Sequence, residues 1–154
     1  MNKLNYYIIR ILTKIKIISR INFTVSQKIN GRNFKIPFTG SKMGTDNLSL
    51  QERWFSDIFK ELYQNFNEPT FIDIGMNIGQ TVLKVKSISP NINYVGFEPN
   101  GVCTNYLYEL INLNKIENIK VIPIGLGAFT SIQTLYADNK FASGASVIKD
   151  FRQN

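Results

Sequence analysis

From residue 69 onwards, the apolar positions of the chain switch between the short runs typical of strands and the wider spacing typical of helices. The short runs predict three strands: Thr70–Ile74, Ile92–Phe97 and Ile119–Ile124. The wider spacing predicts a helix between successive strands: one from about Ile78 to Pro90 and one over Asn100–Asn114. This alternation predicts an α/β fold with a parallel sheet. Because Pro123 cannot donate to a ladder, the third strand is expected at the edge of a half-sheet ordered 3-2-1.

The part of the chain before residue 49 has a different pattern. Apolar residues at helical spacing over residues 2–21 predict an amphipathic helix. Two alternating runs, Ile21–Lys28 and Asn33–Phe38, flank Asn30-Gly31. Asn-Gly is the preferred pair for a two-residue turn with positive φ, so these runs predict a β-hairpin.

A second helix is predicted after a loop that contains Pro37 and Gly44. It begins at Ser49-Leu-Gln-Glu52, which has the form of a capping box. Its apolar side chains predict a core-facing stripe that covers the sheet: Trp54, Phe55, Ile58, Phe59, Leu62, Tyr63 and Phe66. We therefore divide the chain into a basic helix-and-hairpin extension, residues 1–48, and an α/β domain, residues 49–154.

The basic charge of the chain belongs to its N-terminal part. The formal net charge is +7, and residues 1–36 hold eight of the 18 basic residues and no acidic one. The remaining ten basic and eleven acidic residues sum to −1, so we expect no nucleic-acid partner. Two interpretations of the first helix stay open: weak contact of residues 1–20 with an anionic membrane surface, or a packing helix whose charges face water. We expect a cytoplasmic protein, peripheral to the membrane if the first interpretation holds.

The content of cysteine and histidine excludes several kinds of site. Cys103 is the one cysteine, and the chain has no histidine. An internal disulfide, a cysteine-based zinc site, a histidine metal site and Ser-His or Cys-His catalysis are therefore excluded. Cys103 falls on a predicted helix, where a free cysteine usually behaves as a small buried hydrophobe. We expect no metal site.

Candidate chemistry lies where the first strand ends. Asp73 can hold the following turn or accept from a ligand amine. Gly75 and Gly79 provide backbone without Cβ for steep turning and close ligand approach. Asn77 tolerates a left-handed backbone and can cap the following helix. The N–H groups at the start of that helix suit a carboxylate as well as a pyrophosphate.

The second strand ends on Glu98, followed by Pro99. Glu98 lies 19 residues after Gly79, about the spacing that places a carboxylate on a ribose hydroxyl. A glycine turn alone is also typical of a plain strand–helix junction, and a lone glutamate of a solvated surface. The two features together favour an adenosine site.

The glycine pattern helps to choose between adenosine ligands. A dinucleotide fingerprint has three glycines, G-x-G-x-x-G, and this chain departs from it at Asn77 and at Gln80. An NAD-binding oxidoreductase is therefore disfavoured. Asp-x-Gly-x-Asn-x-Gly is instead the form seen in S-adenosylmethionine-dependent methyltransferases.

The chain resembles the FkbM-type methyltransferase family over roughly residues 49–154. The resemblance rests on these segments: Glu52-Arg-Trp54, Phe71-Ile-Asp-Ile-Gly-Met-Asn-Ile-Gly79, Gly96-Phe-Glu-Pro-Asn100, Asn114, Ser143-Gly-Ala-Ser146 and Phe151-Arg152. It implies a Rossmann-like fold, S-adenosylmethionine as cofactor and O-methylation of a sugar or secondary-metabolite hydroxyl. By this likeness Asp73, Gly75, Asn77 and Gly79 would line the methionine end of the cofactor, and Glu98 would bind its ribose. Gln80 and Pro99 complete the predicted cofactor-binding set.

The chain departs from the family pattern at its C-terminal end. Two short runs, Ile132–Ala137 and Ala145–Lys149, predict a β-hairpin, whereas the family continues with further strands of the sheet. We therefore expect an N-terminal half of the enzyme, without most acceptor-binding residues, and no catalytic residue can be named. A cofactor-binding fragment without catalysis stays open as an alternative, as does a half that pairs with another chain. In such a half-sheet the first strand would have no partner on its far side, and this exposed edge also predicts self-association.

Overall fold

The computed structural model describes residues 7, 9, 11, 21–39, 43–49, 53–67, 69–138 and 141–149. In this part of the chain the strands are β1 (Asn22–Ile29), β2 (Arg32–Thr39), β3 (Thr70–Ile74), β4 (Asn93–Phe97), β5 (Ile119–Ile122), β6 (Tyr136–Asp138) and β7 (Phe141–Ser146). The helices whose two ends are both described are α1 (Met43–Ser49), α2 (Arg53–Gln64), α3 (Gln80–Ile88) and α4 (Gly101–Asn114). Residues 7, 9 and 11 are helical, and residue 21, the last of the helix predicted over residues 2–21, is not. The rest of that predicted helix lies outside the described residues.

A three-stranded parallel sheet forms the centre of the fold. Its order is β3-β4-β5, with Phe71 opposite Tyr94 and Tyr94 opposite Ile119. The α/β fold and the 3-2-1 order predicted from the sequence are confirmed. The third strand ends at Ile122, two residues earlier than predicted, because Pro123 has no N–H to continue the ladder.

One face of the sheet is covered by helices. Phe59 from α2, Val82 and Val85 from α3, and Leu107 from α4 share one apolar cluster with Tyr94 of the sheet. On the opposite face, the β3 side chains Ile72 and Ile74 are 62% and 68% exposed. Among the described residues, the edge of β3 that faces away from β4 pairs with no strand.

The β1–β2 hairpin packs on the outer side of α3 and α4. Its inward side chains join residues of both helices and of the loop before α3 in a second apolar cluster: Val25, Ile29, Phe34, Ile36 and Phe38 with Ile78, Leu83, Cys103, Tyr106 and Leu110. The Asn114 side chain pairs with the Lys35 backbone in the manner of a strand, through bonds of 2.7 and 2.8 Å. The strand limits differ from the predicted ones by one residue at each end.

The segment between the hairpin and α2 was predicted wrongly. Pro37 belongs to β2, which pairs with β1 in a two-stranded sheet. A proline has no N–H to donate, but it is tolerated here because a strand at the edge of a sheet needs no donor on its outer side. Residues 43–49 form α1 instead of a loop, so the predicted start of the second helix, Ser49, falls at the end of another helix. The buried Asn47 explains this, since its amide donates to the Ile78 carbonyl at 2.9 Å and holds the segment against the domain. Residues 50–52 of the predicted capping box lie outside the described residues.

The aromatic stripe of α2 is only partly in the core. One row along the helix, with Phe55, Phe59 and Tyr63 four residues apart, packs on the sheet. The neighbouring row is exposed, contrary to the prediction: Trp54, Ile58, Leu62 and Phe66. The apolar stripe of α2 is wider than the surface that the helix buries, so its second row of side chains is exposed to water.

The last hairpin is present but shifted from its predicted limits. β6 and β7 pair antiparallel around residues 139 and 140, which lie outside the described residues. Residues 132–135 and 147–149, which were predicted as strand, have no strand structure. Both strands therefore lie nearer to the turn than the apolar runs indicated.

Candidate functional site

The loop from β3 to α3 crosses the end of β4. The N–H groups of Gly75 and Met76 both donate to the Phe97 carbonyl, at 2.9 and 3.0 Å. Gly75 has φ +89°, a left-handed conformation that disfavours any side chain. A Cβ placed on Gly75 would have no atom within 4 Å. The bare backbone at Gly75 therefore faces open space at the C-terminal edge of the sheet, where ligands of such sheets bind.

Glu98 joins this loop to the one that follows β4. Its side chain is buried, at 7% exposure. Oε2 accepts from the Asn77 N–H at 2.7 Å, and Oε1 accepts from the Asn100 N–H at 2.8 Å. The predicted ribose acceptor is thus also a clamp that holds the two site loops together.

The loop after β4 is ordered by its own cap. The Asn100 side chain accepts from the Val102 N–H at 3.0 Å and caps α4, as predicted. Pro99 and Gly101 are exposed, and a Cβ on Gly101 would meet nothing within 4 Å. The second loop therefore also presents open backbone beside Glu98.

The start of α3 differs from the predicted arrangement. The N-cap is Gly79, with φ +83° and no side-chain cap bond, and the helix begins at Gln80. Asn77 has the predicted left-handed backbone, φ +50°, but it does not cap the helix. A Cβ on Gly79 would lie 2.9 Å from Leu107 and Leu110. Gly79 thus permits close packing of α3 on α4.

Asp73 lies on the helix-covered face of β3, half-buried. The Tyr94 hydroxyl donates a hydrogen bond to its Oδ2. Burial raises the pKa of Asp73, the nearby Glu98 carboxylate raises it further, and the Tyr94 bond acts in the opposite direction. Burial and the Asp73 carboxylate raise the pKa of Tyr94, so the phenol is the donor of this pair.

Cys103 is buried behind the first loop. Its Sγ lies 3.5 Å from Oδ1 of Asn77. Burial, with a smaller contribution from Glu98, raises the pKa of the thiol to about 11. A thiol with so high a pKa is a poor nucleophile at neutral pH, and Cys103 is a core residue, as predicted.

The structure brings most of the predicted site residues to one edge of the sheet. Asp73 lies near the end of β3, Gly75 and Asn77 follow that strand, and Glu98 and Pro99 follow β4. Hydrogen bonds link the two loops. The remaining two predicted residues lie at the start of α3. Within the described ranges, His, Cys, Asp and Glu side chains form no group of three or more that could hold a metal ion. Nor does any helix there have the length and apolar character needed to cross a membrane.

Sequence reasoning missed two residues that shape these loops. Met76 is buried beneath the first loop, and its side chain occupies the space that a Cβ on Gly96 would need. Asn47 of α1 supports the same loop through the Ile78 carbonyl, at 2.9 Å. Gly96, in the second predicted strand, could have indicated that a neighbouring side chain, here Met76, packs closely against the backbone. Nothing in the local pattern distinguished Asn47 from other loop asparagines.

Comparison with models of protein families finds no match, and comparison with curated proteins also finds none. Among solved structures, PH0793 from Pyrococcus horikoshii, which is described provisionally as a transferase, is similar to this chain. The identity is 15% and the TM-score 0.44, and the likeness covers 66% of this chain and 36% of that one. The chain thus matches about a third of the length of that protein.

Proposed function

We propose that the chain binds S-adenosylmethionine at the C-terminal edge of β3 and β4, and that it is a methyltransferase of the FkbM type. One observation carries the proposal: the bare, left-handed backbone at Gly75 faces open space beside a loop clamped by the buried Glu98. The resemblance of the two strand-end motifs to that family supports the choice of cofactor.

The donor groups at this edge fit the parts of the cofactor. Each Glu98 oxygen accepts one backbone N–H, and a carboxylate has about four acceptor positions. Glu98 therefore has capacity left for the ribose hydroxyls. Asp73 offers a carboxylate for the ammonium group, and Gly75 allows the methionine end to approach the backbone. Pro99, exposed next to Glu98, would border the adenosine.

When bound, the sulfonium supplies an electrophilic methyl carbon. The residues named above would hold and orient the donor, so that catalysis depends chiefly on alignment with the acceptor oxygen. We propose a hydroxyl acceptor of the sugar or secondary-metabolite type, following the family resemblance. We assign no general base, and the chain has no histidine to serve as one.

Isothermal titration calorimetry with S-adenosylhomocysteine and with NAD, side by side, tests the proposal. We expect binding of the first and none of the second. Gly75→Val should abolish binding, since the side chain enters the space left for the ligand. Gly31→Val is a matched control, because Gly31 has φ +88° and equally open surroundings, but lies in the β1–β2 turn.

Three outcomes would contradict parts of the proposal. Binding of NAD alone would replace a methyltransferase with an oxidoreductase domain. Unchanged affinity in Gly75→Val would place the ligand elsewhere. Loss of binding in Gly31→Val as well would show that the effect comes from backbone strain. Methyl transfer from labelled S-adenosylmethionine to hydroxylated glycans then separates an enzyme from a binding module without catalysis.

A further inference from the structure

An array of aromatic rings runs from α2 into the sheet and ends at a carboxylate of the candidate site. The ring of Phe59 meets that of Phe71 edge-on with centroids 5.5 Å apart, and Phe71 stacks on Tyr94 at 5.1 Å. Tyr94 is 1% exposed, and its hydroxyl donates to Oδ2 of Asp73. The packed rings therefore hold the Tyr94 side chain in place in the core, and its hydroxyl contacts Asp73 of the candidate site.

The pairing of β3 with β4 explains why Tyr94 reaches Asp73. Asp73 lies opposite Gly96, so the nearest position on β4 offers no side chain. Tyr94 is two residues earlier and thus on the same face of the sheet. Its ring is the next side chain along that face, and its hydroxyl meets the carboxylate.

We infer that Tyr94 is a positioning residue of the candidate site: by holding Oδ2 of Asp73, it leaves Oδ1 directed at the ligand. The inference rests on the proposed function, since the ligand group is taken to be the ammonium of S-adenosylmethionine. In the described part of the chain, no residue donates a hydrogen bond to Oδ1. When one oxygen of a carboxylate is already held, the side chain loses less conformational entropy as its other oxygen binds a ligand.

The same contact favours the charged form of Asp73. Two ionisable groups of the described chain act on Asp73: Tyr94 on β4, and Glu98 in the loop after it. No described lysine or arginine forms an ion pair with it. Burial and Glu98 raise the pKa of Asp73, and the bond from Tyr94 lowers it. Without the phenol, the pKa should rise and the carboxylate should be protonated at higher pH.

Tyr94→Phe tests the inference, because phenylalanine keeps the stacked ring and removes only the donor. Tyr108→Phe is the matched control, since it makes the same change on an exposed side chain of α4. Carbon-13 NMR follows the Asp73 carboxyl against pH without ligand. Calorimetry measures S-adenosylhomocysteine affinity from pH 8 down to pH 5.

In Tyr94→Phe, the Asp73 titration should move to higher pH, and ligand affinity should weaken increasingly as the pH falls, by about tenfold at the acid end. Tyr108→Phe should change neither. In the background of Asp73→Asn, Tyr94→Phe should have no further effect on affinity. An unmoved titration, or an equal loss of affinity at every pH, would overturn the inference.

Failure of the proposed function gives a different result. A wild-type chain that does not bind S-adenosylhomocysteine would refute the cofactor, while the ligand-free titration would still report on Tyr94. If Tyr94→Phe does not fold, the comparison of wild type with Asp73→Asn decides instead. Equal affinities of these two at all pH values would remove Asp73, and with it Tyr94, from the site.

Discussion

The Glu98 carboxylate links both site loops, and replacing it with glutamine tests how far their geometry depends on it. Glu98→Gln keeps the shape of the side chain but turns one acceptor oxygen into an NH₂ donor. In either orientation of the amide, this donor faces the backbone N–H of Asn77 or of Asn100, at the distance of the present bonds, 2.7 and 2.8 Å. Two donors cannot bond, so one of the two loops loses its hydrogen bond to residue 98.

The cost of Glu98→Gln follows from these two contacts. One charge-assisted bond is lost, worth about 1.5–3 kcal/mol, and the other becomes a neutral bond of about half the strength. Removing a buried charge returns part of this energy. We expect the free energy of unfolding to fall by about 2–3 kcal/mol, a large share of the roughly 5–15 kcal/mol of an ordinary domain.

Urea denaturation followed by circular dichroism and by the fluorescence of Trp54 measures this loss. Glu61→Gln is the matched control, because it makes the same change on the exposed side of α2. A Glu98→Gln chain within about 0.5 kcal/mol of the control, the scatter of ordinary surface changes, would refute the clamp. Glu98 would then be available for the ligand alone.

Three further predictions follow from packing and burial. Gly96→Ala should destabilise the fold by about 1–3 kcal/mol, since its Cβ would lie 2.1 Å from the Met76 sulfur, and Met76→Ala should relieve part of that loss. Iodoacetamide should modify Cys103 slowly at pH 8, since burial raises the pKa of the thiol to about 11 and leaves little thiolate; the rate should rise steeply as the pH approaches that value. Among the described residues, the outer edge of β3 pairs with no strand, and its exposed Ile72 and Ile74 should drive concentration-dependent association, which Ile72→Lys should reduce in light scattering.

Each of these predictions has a result that would contradict it. Equal destabilisation by Gly96→Ala with and without Met76 would mean that the clash lies elsewhere. Alkylation of Cys103 in the folded chain as fast as in urea at pH 8 would show an accessible thiolate. A monomer at all concentrations, or association unchanged by Ile72→Lys, would separate self-association from the β3 face.

The parts of the fold that depend on local pattern could be predicted from the sequence. Local patterns span only a few residues and indicate the structure of those residues. Examples in this chain are apolar runs of strand length, apolar residues at helical spacing and the turn pair Asn30-Gly31. They predicted the three strands, their order and the hairpin. The left-handed backbone at Gly75 and Asn77 was also predictable, because few residue types tolerate it.

The remaining features depend on contacts between distant residues. Asn47 forms a helix with its neighbours because its amide bonds to residues 31 and 59 positions away, which no local pattern reports. The division of α2 into a buried and an exposed row depends on where Phe71 lies. Glu98 could be predicted as an acceptor at the end of a strand, but its two backbone partners are known only when both loops are in place.

The central claim is that an adenosyl ligand binds between the loops after β3 and β4, and amide NMR of the ¹⁵N-labelled chain tests it most directly. On titration with S-adenosylhomocysteine, we predict saturable shifts of the amide signals of Gly75, Asn77 and Gly101. The signals of Asn30 and Gly31, in the β1–β2 turn, should stay in place. Shifts confined to the hairpin, or none at any ligand concentration up to the millimolar range typical of weak binding, would contradict the claim.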